Sequence, residues 1–400
     1  MTAVGLVLFW GSVALVAWAY LGFPTLLALR ALRPAPRPRS DGAPPRVSLV
    51  IAVHNEAAVI ERKLENLDEL SYPRDRLEVV VATDGCDDGT CERVASHAGA
   101  TPVKLVELSR VGKNAALNAG VAAATGDVLV FSDADTTLDR DALERLVAPF
   151  ADSSVGGVAG DFRYTGEGEV GGERAYWSFD RLWKQLESRS GNVTSATGQL
   201  YALRRELFTP VPDGVTDDFF VSTGAIEAGK RLWFEPTAVG RGAAADGLGD
   251  EYGRKVRVIG RGFASVWQRR RLLDPRRTGF YALQLFSHKV LRRLVGIALV
   301  GAFVGAALAW TVHPFYRVAA LAQLAFHGLA LLGWFGRGLP FARARFIALP
   351  AFFDMANAAA LHALVNFLRG RQARIWEPQR NTADALEGVA SARRGASWKA

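Results

Sequence analysis

The first charged residue of this chain is Arg30; Met1 to Leu29 carries none. Leu294 to Tyr316 and Val318 to Gly336 are free of charge as well. Stretches of that length and composition can cross a hydrocarbon core of roughly 30 Å. With 400 residues, the chain has room for a soluble domain and a membrane part together. A fourth apolar segment, Phe346 to Leu368, contains Asp354, Asn357, His362 and Asn366, which are costly groups at bilayer depth. Arg337, Arg343 and Arg345 precede it and Arg369, Arg371 and Arg374 follow it. Positive residues favour the cytoplasmic side, so a full crossing cannot satisfy both groups. A partly re-entrant or interfacial segment would resolve the conflict.

The first segment does not read as a cleaved signal peptide. It has no basic leading region, and its arginines come after it, at Arg30, Arg33, Arg37 and Arg39. Those arginines predict entry into the cytoplasm after the first span, at the plasma membrane. Arg30 to Arg46 is a Pro/Arg-rich linker without hydrophobic periodicity. The net charge of +8 is concentrated in juxtamembrane patches, Arg30–Arg46, Arg269–Arg277 and Lys289–Arg293, that favour anionic lipid. No nucleic-acid module accompanies that charge. Cys86 and Cys91 make neither a metal pattern nor a disulfide framework.

The soluble part begins at Val47. Val47 to Val53, Leu77 to Ala82, Val103 to Leu108 and Val128 to Phe131 are short apolar runs of the kind that form buried strands. Between them lie helical patterns: Ala57 to Leu70, a stretch around Cys91 to Ala98, and an Ala-rich run from Gly112-Lys113-Asn114 to Ala124. Strands alternating with helices imply an α/β fold with a mostly parallel sheet covered on both faces. In such sheets ligands bind at the carboxyl ends of the strands. His54, Asp84 and Asp133 each stand just past the end of an apolar run, so parallel pairing would bring them to one edge. Asp133 and Asp135 are two carboxylates one residue apart at a strand end. Like charges so close repel by several kcal/mol unless a cation intervenes. An oxygen-only pair suits Mg²⁺ or Mn²⁺, completed by phosphate oxygens and water.

Two other patterns carry no function. Gly166-x-Gly168-x-x-Gly171 matches a dinucleotide fingerprint, but it does not follow the first strand and holds Glu167 and Glu169. Gly224 to Lys230 resembles a phosphate loop, yet Arg231 stands where Ser or Thr is required.

The ordered series His54-Asn55-Glu56, Asp84-Gly85-x-Asp87-Asp88-Gly89-Thr90, Gly112-Lys113-Asn114, Asp133-Ala134-Asp135, Thr216-Asp217-Asp218 and Arg254-Lys255-Val256-Arg257-Val258 resembles glycosyltransferase family 2. The likeness is to its membrane-embedded branch, which includes cellulose, hyaluronan and poly-N-acetylglucosamine synthases. It implies a GT-A (Rossmann-like) fold, a nucleotide-sugar donor, here expected to be a UDP-sugar, and inversion at the anomeric carbon. By the same resemblance His54, Asn55, Glu56 and Asp84 hold the base and ribose. Asp133 contacts nucleotide or ion, and Asp135 coordinates the metal. Lys113 helps position the donor, and Gly198, within Ala196-Thr197-Gly198, belongs to an acceptor-side loop. Asp218 matches the last position of the family's Thr-Glu-Asp and is the candidate base. Arg257, with Arg254, would neutralise the departing diphosphate. The family's Gln-x-x-Arg-Trp is matched only at Arg257; Val258 replaces the aromatic that processive relatives place at the acceptor end.

The expected organisation is a transmembrane helix (1–29), linker (30–46), GT-A domain (47–273), interfacial amphipathic helix (274–293), membrane segments (294–376) and polar tail (377–400). The expected activity is metal-dependent transfer of a sugar to a hydroxyl of a glycan or lipid-linked acceptor, in polysaccharide or glycolipid synthesis. Two alternatives are transfer to polyprenyl phosphate, and a catalytically silent sugar-nucleotide-binding scaffold working with export-complex subunits.

Overall fold

In the computed structural model the described residues are 2–165, 171–243, 251–336 and 339–371. They fall into two units, one within Arg30–Asp246 and the other made of Met1–Leu29 with Gly247–Gln372. The Gly166–Gly171 pattern lies almost wholly outside the described residues, and the polar tail lies entirely outside them.

The first unit is built on eight strands: β1 (Val47–Val53), β2 (Leu77–Thr83), β3 (Val103–Val106), β4 (Val128–Ser132), β5 (Thr137–Leu138), β6 (Val155–Thr165), β7 (Leu200–Arg204) and β8 (Arg231–Ala243). They form one sheet in the order β3-β2-β1-β4-β7-β6-β8-β5. Pairing is parallel across β3-β2-β1-β4 and antiparallel where β7 is flanked by β4 and β6. The apolar runs read from sequence therefore supply the parallel half of the sheet. β1 and β4 are buried along their whole length, as two-sided covering requires.

The Ala57–Asp68 helix shows how that covering is made. Its buried positions are Val59, Ile60, Lys63, Leu64, Asn66 and Leu67, a stripe at helical spacing that meets Leu49, Ile51, Val79 and Val130 in the core. Two members of that stripe, Lys63 and Asn66, are polar. A cavity of about 300 Å³ lined by Pro44, Tyr72, Asp127, Glu144 and Arg204 adjoins the amino ends of β1 and β4. That is the edge opposite the one where parallel sheets bind ligands.

The second unit is helical. Three of its helices, Thr2–Ala31, Pro314–Phe335 and Arg345–Leu368, are long and apolar enough to cross a membrane. The segment expected as a span from Leu294 to Tyr316 is different. Its helix covers only Val295–Leu308, about 21 Å at 1.5 Å per residue, and joins Phe280–Arg293 at a bend of 61°. The interfacial segment is likewise broken, by a turn at Gly279 and a π-turn over Phe286–Val290. The fourth segment, for which charge suggested a partly re-entrant or interfacial path, is one continuous helix of 24 residues. Its polar groups find partners within the unit: Asp354 pairs with His327 at 2.7 Å, and His362 bonds Tyr252 at 3.1 Å.

Candidate active site

Parallel register aligns Val53 with Thr83 and Val50 with Phe131. His54, Asp84 and Asp133 accordingly emerge at one edge of the sheet. The corner after β1 and β2 is interlocked. His54 Nδ1 lies 2.7 Å from the Asp84 carbonyl. Asn55 and Asp87 exchange two hydrogen bonds, of 2.7 and 3.0 Å. Asn55 has a φ of 52°, the one non-glycine positive φ among the described residues, and such a conformation is uncommon outside tight functional turns. The Glu56 amide donates to Thr90 Oγ1 at 2.9 Å.

Asp84 is fully buried, and its carboxylate is matched by donors. The Val111 and Gly112 amides donate to Oδ1 at 2.6 and 2.7 Å, and Arg110 donates to Oδ2 at 2.9 Å. Gly85 makes this possible: its φ is 65°, and a Cβ there would lie 2.8 Å from the Arg110 amide nitrogen. The same loop starts the Lys113–Ala123 helix. Asn114 and Asn118 on that helix bond the backbone of Val211, Pro212 and Val215, so they set where the next segment, Thr216-Asp217-Asp218, begins its helix.

Lys113 closes the arrangement. Its ammonium lies 3.1 Å from Asp133 Oδ1 and 3.3 Å from Asp217 Oδ2. Burial works against that ammonium, but Asp133 and Asp217 more than offset it and raise its pKa above the usual lysine value. Burial, together with the charges of Asp135 and Asp217, pushes the Asp133 carboxyl upward, against the pull of Lys113. A Cβ on Gly198 would lie 3.7 Å from Asp133 Oδ2, which places the 196–199 loop beside the same carboxylate. Ser222 ties that loop to the Asp217–Ser222 helix: its hydroxyl donates to the Asp218 carbonyl and accepts from the Ala196 amide, at 2.6 and 3.1 Å.

The structure thus gathers His54, Asn55, Glu56, Asp84, Lys113, Asp133, Gly198 and Asp218 around the carboxyl ends of the parallel strands, with Asp135 two residues past Asp133. Arg254 and Arg257 lie on the Glu251–Gln268 helix, which belongs to the helical unit. Sequence reasoning missed Arg110, Asp217, Tyr201 and Lys63. Asp217 stands in the Thr216-Asp217-Asp218 motif beside the candidate base, and its carboxylate turns to Lys113. Tyr201 is fully buried and stacks on Phe131 at 4.7 Å. Its hydroxyl has no hydrogen-bond partner among the described residues. Burial and the nearby charges of Asp217, Asp218 and Asp133 hold its pKa well above the usual tyrosine value. Lys63 carried a legible signal, a cation on a largely apolar helical stripe. Its burial depresses its pKa to about 7, although Asp135 and Asp133 pull it upward.

The comparisons with known proteins bear on the family and the fold. The family model described as glycosyl transferase family 2 matches residues 48–211. Glycosyltransferase AglE of Haloferax volcanii is 31% identical over 233 residues, which cover 56% of this chain and 74% of AglE. The chain belongs to glycosyltransferase family 2. Poly-beta-1,6-N-acetyl-D-glucosamine synthase of Staphylococcus aureus is 27% identical over 220 residues, 53% of each chain, so this chain spans about half the length of that relative. Among solved structures, the mannosyltransferase PcManGT of Pyrobaculum calidifontis, in complex with GDP-Man and Mn²⁺, matches with a TM-score of 0.70 at 28% identity, over 91% of this chain and all of that one. The fold is GT-A, and the family's chemistry is sugar transfer from a nucleotide-sugar.

Proposed function

We propose that this protein is a membrane-bound inverting glycosyltransferase whose catalytic unit faces the cytoplasm, transferring a sugar to a hydroxyl of a glycan or lipid-linked acceptor. The observation that carries this reading is the grouping of Asp133, Lys113 and Asp217 at the strand-end edge, two strands over from Asp84 in its ring of donors. Donor base and ribose would lie along His54–Glu56 and Asp84, with the diphosphate reaching Asp133 and Asp135.

A divalent cation fits the donor set. Asp133 and Asp135 supply hard oxygen ligands, and the described residues hold no cluster of three or more His, Cys, Asp or Glu side chains that would cage an ion by themselves. Mg²⁺ or Mn²⁺ bound by two carboxylates would take its remaining ligands from phosphate oxygens and water. When bound, the ion would neutralise charge on the diphosphate as that group departs.

The protein's own groups account for the other steps. The acceptor hydroxyl oxygen forms a bond to the anomeric carbon as the bond from that carbon to the phosphate oxygen breaks, and the electron pair leaves with the diphosphate. Attack opposite the leaving group inverts the centre. The hydroxyl proton passes to Asp218, the proposed base. Lys113 orients the diphosphate end of the donor. On the motif alone, Arg257 with Arg254 supplies further positive charge as the leaving group develops.

The donor is a nucleoside diphosphate sugar; GDP-mannose in PcManGT makes a guanine nucleotide a specific rival to UDP. A screen of UDP- and GDP-sugars for release of nucleoside diphosphate by the purified full chain, with and without Mn²⁺, tests the reading. Release from at least one donor, abolished by chelator, is expected. Absence of both release and binding for every donor would overturn it in favour of a non-catalytic role.

A further inference from the structure

The turn that carries Asp133 and Asp135 is held from behind by one face of the Ala57–Asp68 helix. Lys63 Nζ donates to Ser132 Oγ at 2.7 Å and to the Thr136 carbonyl at 2.6 Å, so it grips the residue before the pair and the residue after it. Three residues on, Asn66 exchanges two hydrogen bonds with the backbone of Leu138, at 2.9 and 2.7 Å. Residues three apart share a helix face, and these two fasten the whole 132–138 segment. Ser132 Oγ passes the restraint on by donating to the Gln199 carbonyl at 3.1 Å, on the loop that approaches Asp133.

Lys63 is an expensive way to make such a clamp. It is 2% exposed, and among the described residues no carboxylate lies within ion-pair distance of it. A buried ammonium with only neutral acceptors carries a large desolvation cost. A leucine or methionine at this place on the stripe would pack against the core without that cost. What the amino group adds is two hydrogen bonds, charge-assisted in its protonated form, to both ends of one two-carboxylate turn.

We infer that Lys63 is a positioning residue: it fixes the Asp133–Asp135 turn in the shape that accepts a divalent cation and, through Ser132, sets the 196–199 loop against it. This rests on the reading of Asp133 and Asp135 as cation ligands. The sign of the effect is informative. Removing a positive charge near a cation site would, by electrostatics alone, tighten cation binding, whereas releasing the turn would weaken it.

The test is Mn²⁺ affinity, measured by EPR titration of free Mn²⁺ against the detergent-solubilised full chain with GDP and, separately, with UDP. Lys63→Met should weaken Mn²⁺ binding at least tenfold while the melting temperature moves by only a few degrees. Unchanged or tighter Mn²⁺ binding by folded Lys63→Met overturns the inference. Should that variant fail to fold, Ser132→Ala decides, since it removes one acceptor and the link to Gln199 while leaving the ammonium in place. Mn²⁺ binding weakened threefold or more supports the clamp, and unchanged binding overturns it. Asp135→Asn separates the two readings. If it binds Mn²⁺ as the unaltered chain does, the cation assignment itself fails, and the role of Lys63 with it. If it loses Mn²⁺ while Lys63→Met keeps it, only the role of Lys63 falls.

Discussion

The two units differ in what lies where their elements touch. In the sheet unit, large side chains fill the interior: Leu49, Ile51, Ile60, Leu64, Leu129 and Tyr201 are fully buried. The helical unit buries Phe23, Leu27 and Leu285 as well, but the two apolar helices that meet at Gly5 and Gly305 touch mainly through small residues. The Thr2–Ala17 helix buries Gly5, Phe9 and Ser12, and the Val295–Leu308 helix buries Val295, Gly296, Ala298, Ala302, Gly305 and Ala306. Val4, Val7, Ile297 and Val300 point outward and are at least half exposed. A Cβ on Gly305 would lie 2.5 Å from the Phe9 amide nitrogen, so the two backbones are nearly in contact there. Large apolar groups inside mark a fold driven by water. Small groups at the contact and large ones outside are the pattern expected of helices packed for an apolar solvent, where close backbone approach replaces the hydrophobic effect between helices. Charge follows the same division. The sheet unit collects carboxylates at its strand ends, while Arg254 to Arg293 of the helical unit has Asp274 as its only acidic residue against a dense series of Arg and Lys.

The contrast can be broken at either unit. The largest effect is expected at the strand ends. Asp135→Asn should abolish metal-dependent donor binding and leave the melting transition in place, because the residue lies past the end of β4 and outside the core. Full turnover by this variant, or full activity of the unaltered chain in excess chelator, would remove the ion from the reaction.

Next is Asp218→Asn. A sugar hydroxyl must lose its proton as the bond forms, so rate should fall roughly 10²–10⁴-fold while calorimetry shows unchanged donor affinity. A phosphate acceptor is already ionised at neutral pH. A loss under about tenfold would therefore reassign Asp218 to a structural role and favour transfer to polyprenyl phosphate.

On the other side of the comparison, Gly305→Leu should damage only the helical unit. Forcing a side chain into that backbone contact costs about 1–3 kcal/mol or more, read as a lower yield of folded protein and a lower melting temperature. Protein that does fold should bind donor with unchanged affinity. An unaltered melting temperature would mean that the helices do not pack through Gly305.

The smallest effect concerns the far edge of the sheet. Arg241 on β8 bonds Asp139 with two contacts of 2.7 and 2.9 Å, and those bonds hold the Asp139 carboxyl below its usual pKa. A folded-state pKa below the unfolded one means that the stabilisation is present above the ordinary carboxylate range. It fades as pH falls through the depressed value. Both side chains are partly exposed, so Asp139→Asn should cost less than about 1 kcal/mol at pH 7. The difference from the unaltered chain should shrink on acid titration followed by chemical denaturation. A difference that grows toward acid would contradict the assignment.

Local sequence determined the parallel half of the sheet and the edge where His54, Asp84 and Asp133 meet. Strand periodicity and turn residues act over a few positions, and parallel pairing leaves little choice about which ends align. The chain also announced its apolar helices by composition, through 29 residues without charge at Met1 to Leu29. Tertiary structure decided the rest. That Asp217 faces Lys113, rather than capping its own helix, depends on Asn114 and Asn118 fixing residues 211–215 from a helix about 100 positions away. Only the folded chain shows that Leu294–Tyr316 holds just the short helix Val295–Leu308, and that Phe346–Leu368 runs unbroken with Asp354 and His362 paired to His327 and Tyr252. Lys63 shows the boundary most plainly. Its place on a buried stripe can be read from helical spacing, but the acceptors that give the ammonium a purpose, Ser132 and Thr136, lie 69 and 73 residues away. Only the folded chain brings them to it, because a hydrogen bond is specified by geometry in space and leaves no periodic trace along the sequence.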